Sequence, residues 1–193
     1  LFAETVFADV AFGLKNFRKG ITQQETEAAV RDALEMVGLS YEEIKDKSPF
    51  DLSGGQKRRV AIAGVIVTRP HILVLDEPAA GLDPLGKQEM MELLHKIHRE
   101  WCSTVIVVSH DMDEIADNCT RAAVISEGAV ADCAPPRELF KRAAELTSLG
   151  LDVPLTAKAC ARLEELGIEI DTDFTCDDFA GKVISLFTGG ENA

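Results

Sequence analysis

The first clear periodicity begins at TQQE (22–25), which has the spacing of a capping box. Ala29, Val30, Ala33, Leu34 and Val37 then recur at helical intervals until Gly38, and this spacing predicts one amphipathic helix. SYEE (40–43) repeats the capping pattern for a short helix, and KSPFD leads into DLSGGQKRRVAIAG (51–64). There cations and apolar residues alternate at helical spacing, predicting a helix over about 54–68. The pattern changes at HILVLDEP (71–78), a short continuous apolar run that ends in two carboxylates, as in a strand buried on both faces of a parallel sheet. Pro84 opens a predicted helix over about 84–99, and STVIVVSHD (103–111) repeats the buried-strand pattern. Strand, helix, strand implies a right-handed crossover, so the expected fold class is α/β. RAAVISEGAVADCAP reads as a hairpin turning at Glu127 and Gly128, with strands near 121–126 and 129–133. Further helices are expected near 136–147, 155–166 and 176–187, and no internal repeat or low-complexity tract interrupts them.

The opening LFAETVFADVAFG has another character: it starts at once with buried-looking residues, with no initiating Met, cationic leader or polar lead-in. On that pattern the chain is expected to be cut at its front end. Composition narrows the class. The 193 residues are 46% hydrophobic, enough to bury a real core, so this is no disordered chain. A formal net charge of -13 disfavours nucleic acid and anionic lipid as direct partners. The best apolar run, VAIAGVIV (60–67), is interrupted by a glycine and falls far short of the roughly 18 residues that cross a bilayer. Five cysteines without a CxxC pair suit a reducing compartment, so a cytoplasmic location is expected.

Two places carry candidate chemistry. Asp76 and Glu77 end the first predicted strand; one can hold Mg²⁺ while its neighbour accepts a proton from an attacking water, the two needs of phosphate-ester cleavage. In isolation, two acids before Pro78 would simply cap a strand. His110 ends the next predicted strand, and neighbouring parallel strands would bring all three groups to one rim. The second place is Ser53-Gly54-Gly55-Gln56. A capping box explains Ser53 and Gln56. It does not explain two glycines in the first turn, each costing about 1 kcal/mol relative to Ala. Bare backbone at a helix N-terminus favours an anion, and a phosphate is the better reading.

LSGGQ (52–56), ILVLDEP (72–78), AGLDP (80–84) and VSH (108–110) together resemble the ATP-binding-cassette ATPases, over nearly the whole chain. The resemblance implies a helical subdomain, here 1–68, and the C-terminal half of a RecA-like parallel-sheet core, here 69–134, followed by a helical extension over 135–193. It implies that Ser53, Gly54, Gly55 and Gln56 form the signature that meets the γ-phosphate of ATP held by an opposite ATPase subunit. It also implies that Asp76 serves Mg²⁺, Glu77 polarises the attacking water, His110 is the switch histidine, and Asp83 belongs to the loop crossing the dimer interface. Ala79 stands where the family usually has Thr, a change that touches none of these roles. No GxxxxGK[ST] occurs, so the loop and lysine that cradle the β- and γ-phosphates are missing, and the family's Mg²⁺-sensing glutamine would fall just before Leu1. This chain alone is therefore expected neither to bind ATP tightly nor to hydrolyse it.

LFAETVFADVAFGLKNF is similar to the opening LFxxTVxxDVAFGPxN of energy-coupling-factor transporter ATPases, with Leu14 in place of Pro. KSPFDLSGGQKRRVAIAG and the tail ELFKRAAELTSLGLDVPLTAKACARLEELGI add to the match and favour the second of the two ATPases in such a complex. That resemblance implies a paired ATPase, a transmembrane coupling protein and a substrate-binding membrane subunit. It implies work at the cytoplasmic face of the membrane in importing a vitamin or metal ion. Residues 1–17 would form part of the docking face, with half of Phe2, Val6, Phe7, Val10 and Phe12 given to core packing and the rest to a groove for a coupling helix. His95 and His98 sit three apart on a helix without a third ligand, so a solvated face is expected. The alternatives are the ATPase of a cobalt, nickel or amino-acid importer, a non-transport cassette protein, and a truncated product acting as an inert binding module.

Overall fold

The computed structural model describes residues 1–18 and 20–188, and the chain separates into two compact units, Leu1–Val108 and Ser109–Ala193. In the first unit α1 (Val6–Phe17), α2 (Gln23–Met36), the four-residue α3 (Tyr41–Ile44) and a 3₁₀ turn (Pro49–Asp51) lead to α4 (Gly54–Ile66). Strand β1 (Ile72–Asp76), helix α5 (Pro84–Glu100) and strand β2 (Thr104–Val108) complete it. β1 and β2 pair in parallel, from Ile72 opposite Thr104 to Asp76 opposite Val108, with α5 as the crossover.

Helix α1 was not predicted from the opening residues. The Thr5 side chain caps it by accepting the Ala8 N–H, and Val6, Val10, Ala11 and Leu14 form its buried face. Of the five apolar residues named above, Val6 and Val10 are buried, Phe7 is partly buried, and Phe2 and Phe12 stack edge to face at 4.7 Å while remaining exposed. α2 begins as expected: Thr22 and Glu25 complete a reciprocal capping box. The SYEE pattern fails as a cap, because Ser40 makes no side-chain capping bond and the helix stops after one turn.

Helix α4 buries Val60, Ile62, Ala63 and Ile66 in a core shared with α1, α2, β1 and α5. It ends at Ile66, two residues short of the predicted end, and Arg69 then turns the chain with φ 55°. Where α1 crosses α4, a Cβ on Gly13 would come within 3.0 Å of the Gly64 carbonyl oxygen, so glycine permits the close approach. Arg59 secures α4 laterally by donating to the Val37 carbonyl at 3.0 Å and to Glu89 on α5 at 2.9 Å. Along the sheet, Leu73 is buried, whereas Ile72, Val74, Ile106 and Val108 point to an exposed face.

The second unit holds α6 (Met112–Asn118), the antiparallel pair β3 (Ala122–Ser126) and β4 (Ala129–Ala134), α7 (Pro136–Phe140), α8 (Ala143–Ser148), α9 (Leu155–Glu164) and α10 (Cys176–Thr188). The hairpin turns at Glu127 and Gly128, both with positive φ (50° and 78°), as a type I′ turn requires. A bulge between Val124 and Ile125 shifts its register. The single helix expected over 136–147 is two helices, because Arg142 leaves the helical region (φ -104°, ψ 42°). A separate core gathers Ala116, Val124, Leu139, Phe140, Leu146, Val153, Ala157 and Phe174. The Thr156 hydroxyl donates to the Phe174 carbonyl at 2.6 Å within it.

The Gly13 crossing can be tested directly. Gly13→Val is expected to lower stability by about 1–3 kcal/mol, because the close neighbour is backbone and cannot rotate away. A reduced urea midpoint measures the loss, and an unchanged midpoint would contradict the close-packed crossing.

Candidate functional site

The first turn of α4 is exposed and its hydrogen bonding is incomplete. Ser53 Oγ accepts the Gln56 N–H at 3.2 Å, and Gln56 Oε1 accepts the Ser53 N–H at 3.1 Å, so the capping box forms as predicted. The Lys57 N–H reaches the Ser53 carbonyl, leaving the Gly54 and Gly55 N–H groups without a partner among the described residues. A Cβ at either glycine would meet nothing within 4 Å. The fold of this chain therefore does not demand glycine there. What the two glycines provide is an open helix end, with unpaired donors and the positive end of the helix dipole facing outward.

The second cluster lies at the end of β1. Asp76 closes the ladder opposite Val108, and its exposed carboxylate has no hydrogen-bond or ion-pair partner among the described residues. The Glu77 N–H continues the pairing by donating to the Val108 carbonyl at 2.9 Å. Glu77 itself has φ 48°, a left-handed conformation that costs a non-glycine residue on the order of 1–3 kcal/mol. Backbone bonds from Ala80 to the Glu77 carbonyl and from Leu82 to that of Ala79 coil the loop, and Gly81 adopts φ 73°. Asp83 ends the loop as the N-cap of α5, its Oδ1 accepting the Gly86 N–H at 2.7 Å. Its other carboxylate oxygen is left for another donor.

The structure brings these two clusters together through a residue that the sequence reading did not single out. Arg58, one turn into α4, donates to the Ala80 carbonyl at 2.9 Å. A cavity of about 60 Å³ lies between the start of α4 and the 82–90 stretch, lined by Gly55, Arg58, Leu82 and Gly86 among others. His110 follows β2 by two residues and, with Ser109, opens the second unit.

The remaining candidates carry less. His98 lies on α5 with Nε2 3.2 Å from the Ser103 carbonyl, and among the described residues no group of three His, Cys, Asp or Glu side chains is placed to hold a metal. A lone strand-end carboxylate still suits Mg²⁺, which is ordinarily held by one or two carboxylates together with phosphates and water. All five cysteines are free, and burial pushes the thiols of Cys102, Cys119, Cys160 and Cys176 up, away from nucleophilic activation. No helix among the described residues is long and apolar enough to cross a membrane.

Comparison with known proteins identifies the family. The ABC transporter family matches over residues 3–80. The chain is 43% identical over 193 residues to the energy-coupling factor transporter ATP-binding protein EcfA2 of Caldanaerobacter subterraneus subsp. tengcongensis, covering 100% of this chain and 66% of that protein. It is 43% identical over 191 residues to the protein of the same name from Bacillus subtilis, covering 98% of this chain and 68% of that one. The chain thus spans about two thirds of the length of the curated relatives it matches. Among solved structures, cbiO1 of Clostridium perfringens, described as part of the ABC transporter complex cbiONQ, superposes with TM-score 0.65 at 39% identity over 86% of this chain and 61% of that one. A dimeric ATP-binding cassette in a post-hydrolysis state, bound to ADP and Pi, gives TM-score 0.57 at 29% identity over 68% of this chain and 56% of that one. With the motifs, the parallel sheet and these relatives in agreement, the chain belongs to the ABC transporter family, among the ATP-binding proteins of energy-coupling factor transporters.

Proposed function

We propose that the whole protein hydrolyses ATP as one of a pair of ATPases, and that the open end of α4 receives the γ-phosphate of a nucleotide held by the opposite subunit. The observation that carries this reading is the pair of unpartnered glycine N–H groups above a completed capping box. A helix end kept bare without any need of its own fold is suited to an anionic ligand. The relative solved as a dimer with ADP and Pi supports the pairing.

The residues fit both nucleotide and cation. Gly54 and Gly55 donate backbone N–H groups, and Ser53 and Gln56 lock the turn that aims them. The Asp76 carboxylate would hold Mg²⁺, which would neutralise phosphate charge. Glu77, held by its backbone at the strand end, orients the attacking water and accepts its proton at a carboxylate oxygen. Asp83 faces the opposite subunit, and His110 responds to the terminal phosphate. The bound nucleotide and cation supply the transferable phosphoryl group and the neutralising charge.

In the transporter, residues 1–17, with Phe2 and Phe12 exposed, dock on a transmembrane coupling protein at the cytoplasmic face of the membrane. A separate membrane subunit selects the vitamin or metal ion that is imported. The divisions 1–68, 69–134 and 135–193 serve as helical signature region, catalytic core half and C-terminal extension; residues 189–193 of the last lie outside the described residues. A second reading, the ATPase of another ABC importer for cobalt, nickel or an amino acid, is supported only as far as the cbiO1 relative is part of an ABC transporter complex.

Replacing the base tests the chemistry. Glu77→Gln in the whole protein, assembled with its partner, is expected to slow phosphate release about 10²–10⁴-fold while ATP-dependent pairing persists. Wild-type turnover would exclude Glu77 as the proton acceptor.

The glycines separate fold from function. Gly55→Ala is expected to raise thermal stability slightly, by about 0.5–1 kcal/mol. Gly55→Asp is expected to abolish ATP-driven pairing in size-exclusion chromatography, because a carboxylate then occupies the place of the phosphate. Intact pairing in Gly55→Asp would refute the anion site.

A further inference from the structure

Arg58 occupies a position that packing alone does not explain. Its aliphatic stem lies in the first turns of α4, yet one guanidinium nitrogen reaches out of the helix to the Ala80 carbonyl at 2.9 Å. Another, Nη1, is buried and makes no hydrogen bond among the described residues. A buried N–H left unpaired costs about 1–3 kcal/mol, so an apolar side chain of similar volume would stabilise this contact better. The neighbouring cavity shows that α4 and the following loop are not closely packed at this point. Arg58 is the polar link across that gap.

The two ends of this link have different roles. α4 begins with Gly54 and Gly55, which on the functional reading above face a nucleotide bound by the opposite subunit. The loop begins with Glu77 and ends at Asp83, the N-cap of α5; on the same reading it carries the proton acceptor of the chain's own site and a carboxylate for the partner. We propose that Arg58 is a positioning residue that couples the two ATP sites: by holding the Ala80 carbonyl, it makes the 77–83 loop move with the open end of α4. When a phosphate draws in the first turn of α4, the loop is carried with it and Glu77 reaches its working orientation. Glu77 keeps a left-handed backbone, φ 48°, which persists only where its surroundings hold it, so a shift of the loop gripped by Arg58 is felt at Glu77. Arg59, one residue on, cannot serve the same purpose, because it is committed to Val37 and Glu89.

The proposal rests on the ATPase reading, and the test separates the two. ATP hydrolysis by the whole protein with its partner ATPase is measured for wild type, Arg58→Ala, Arg58→Lys, Asp83→Ala and the Arg58→Ala/Asp83→Ala double variant. Arg58→Ala is expected to lower kcat about 10–100-fold with KM for ATP changed less than about twofold, as for loss of positioning rather than of binding. Arg58→Lys, which keeps one donor for the Ala80 carbonyl, restores much of the rate. The losses from Arg58→Ala and Asp83→Ala are less than multiplicative in the double variant, because both act through one loop. Unchanged kcat in Arg58→Ala, multiplicative losses, or a rate that only tracks a lowered melting temperature without rescue by Lys would each overturn the proposal. A wild-type protein without ATPase activity would overturn the functional reading itself.

Discussion

The packing of α4 is the constraint on which the rest of the first unit depends. Val60, Ile62, Ala63 and Ile66 are buried among α1, α2, β1 and α5, and the Gly13–Gly64 crossing brings α1 against it at near-backbone contact. Rotation of α4 would expose apolar surface at about 25 cal/mol per Å² and drive Gly13 into a carbonyl oxygen. The helix is therefore fixed in direction, and so is its first turn. A helix end with open donors is useful for recognition only when it is held this firmly, because pre-orientation removes the cost of aiming the donors upon binding.

The strand end is rigid for a different reason. Asp76 is the last paired residue of β1, and the Glu77 N–H adds one more bond to Val108 before the chain leaves the sheet. Two consecutive carboxylates are thus set on a hydrogen-bonded edge, with Glu77 forced into a left-handed backbone conformation. The coiled loop that follows is stapled at its far end by the Asp83 cap on α5. The Arg58 bond to the Ala80 carbonyl joins its middle to α4. The first unit consequently combines two stiff anchors with a strained segment between them, an arrangement suited to passing small movements from one ligand to another.

Much of this was legible locally. The boxes at Thr22–Glu25 and Ser53–Gln56 depend on four-residue spacing alone, and both form. The Glu127–Gly128 turn was equally readable, because a two-residue hairpin turn requires positive φ at adjacent positions. SYEE has the letters of a cap, yet Ser40 does not bond, since a helix of one turn offers little for a cap to stabilise. The 136–147 segment splits at Arg142, a break that helical periodicity does not reveal. α1 was missed because its many aromatic and apolar residues hid the narrower Val6, Val10, Leu14 stripe.

By itself the sequence determined the α/β class and the order of the main elements, and it singled out the candidate residues for binding phosphate and moving a proton. These follow from short-range patterns: side-chain periodicity, capping spacing, and glycine where backbone must be bare. Tertiary structure decided which face of α1 is buried, why Gly13 must lack a side chain, and that α4 touches the 77–83 loop through Arg58. Those facts depend on contacts between residues far apart in the chain. The distance from Arg58 to Ala80 is set by how helices and strands pack, and no local pattern encodes it.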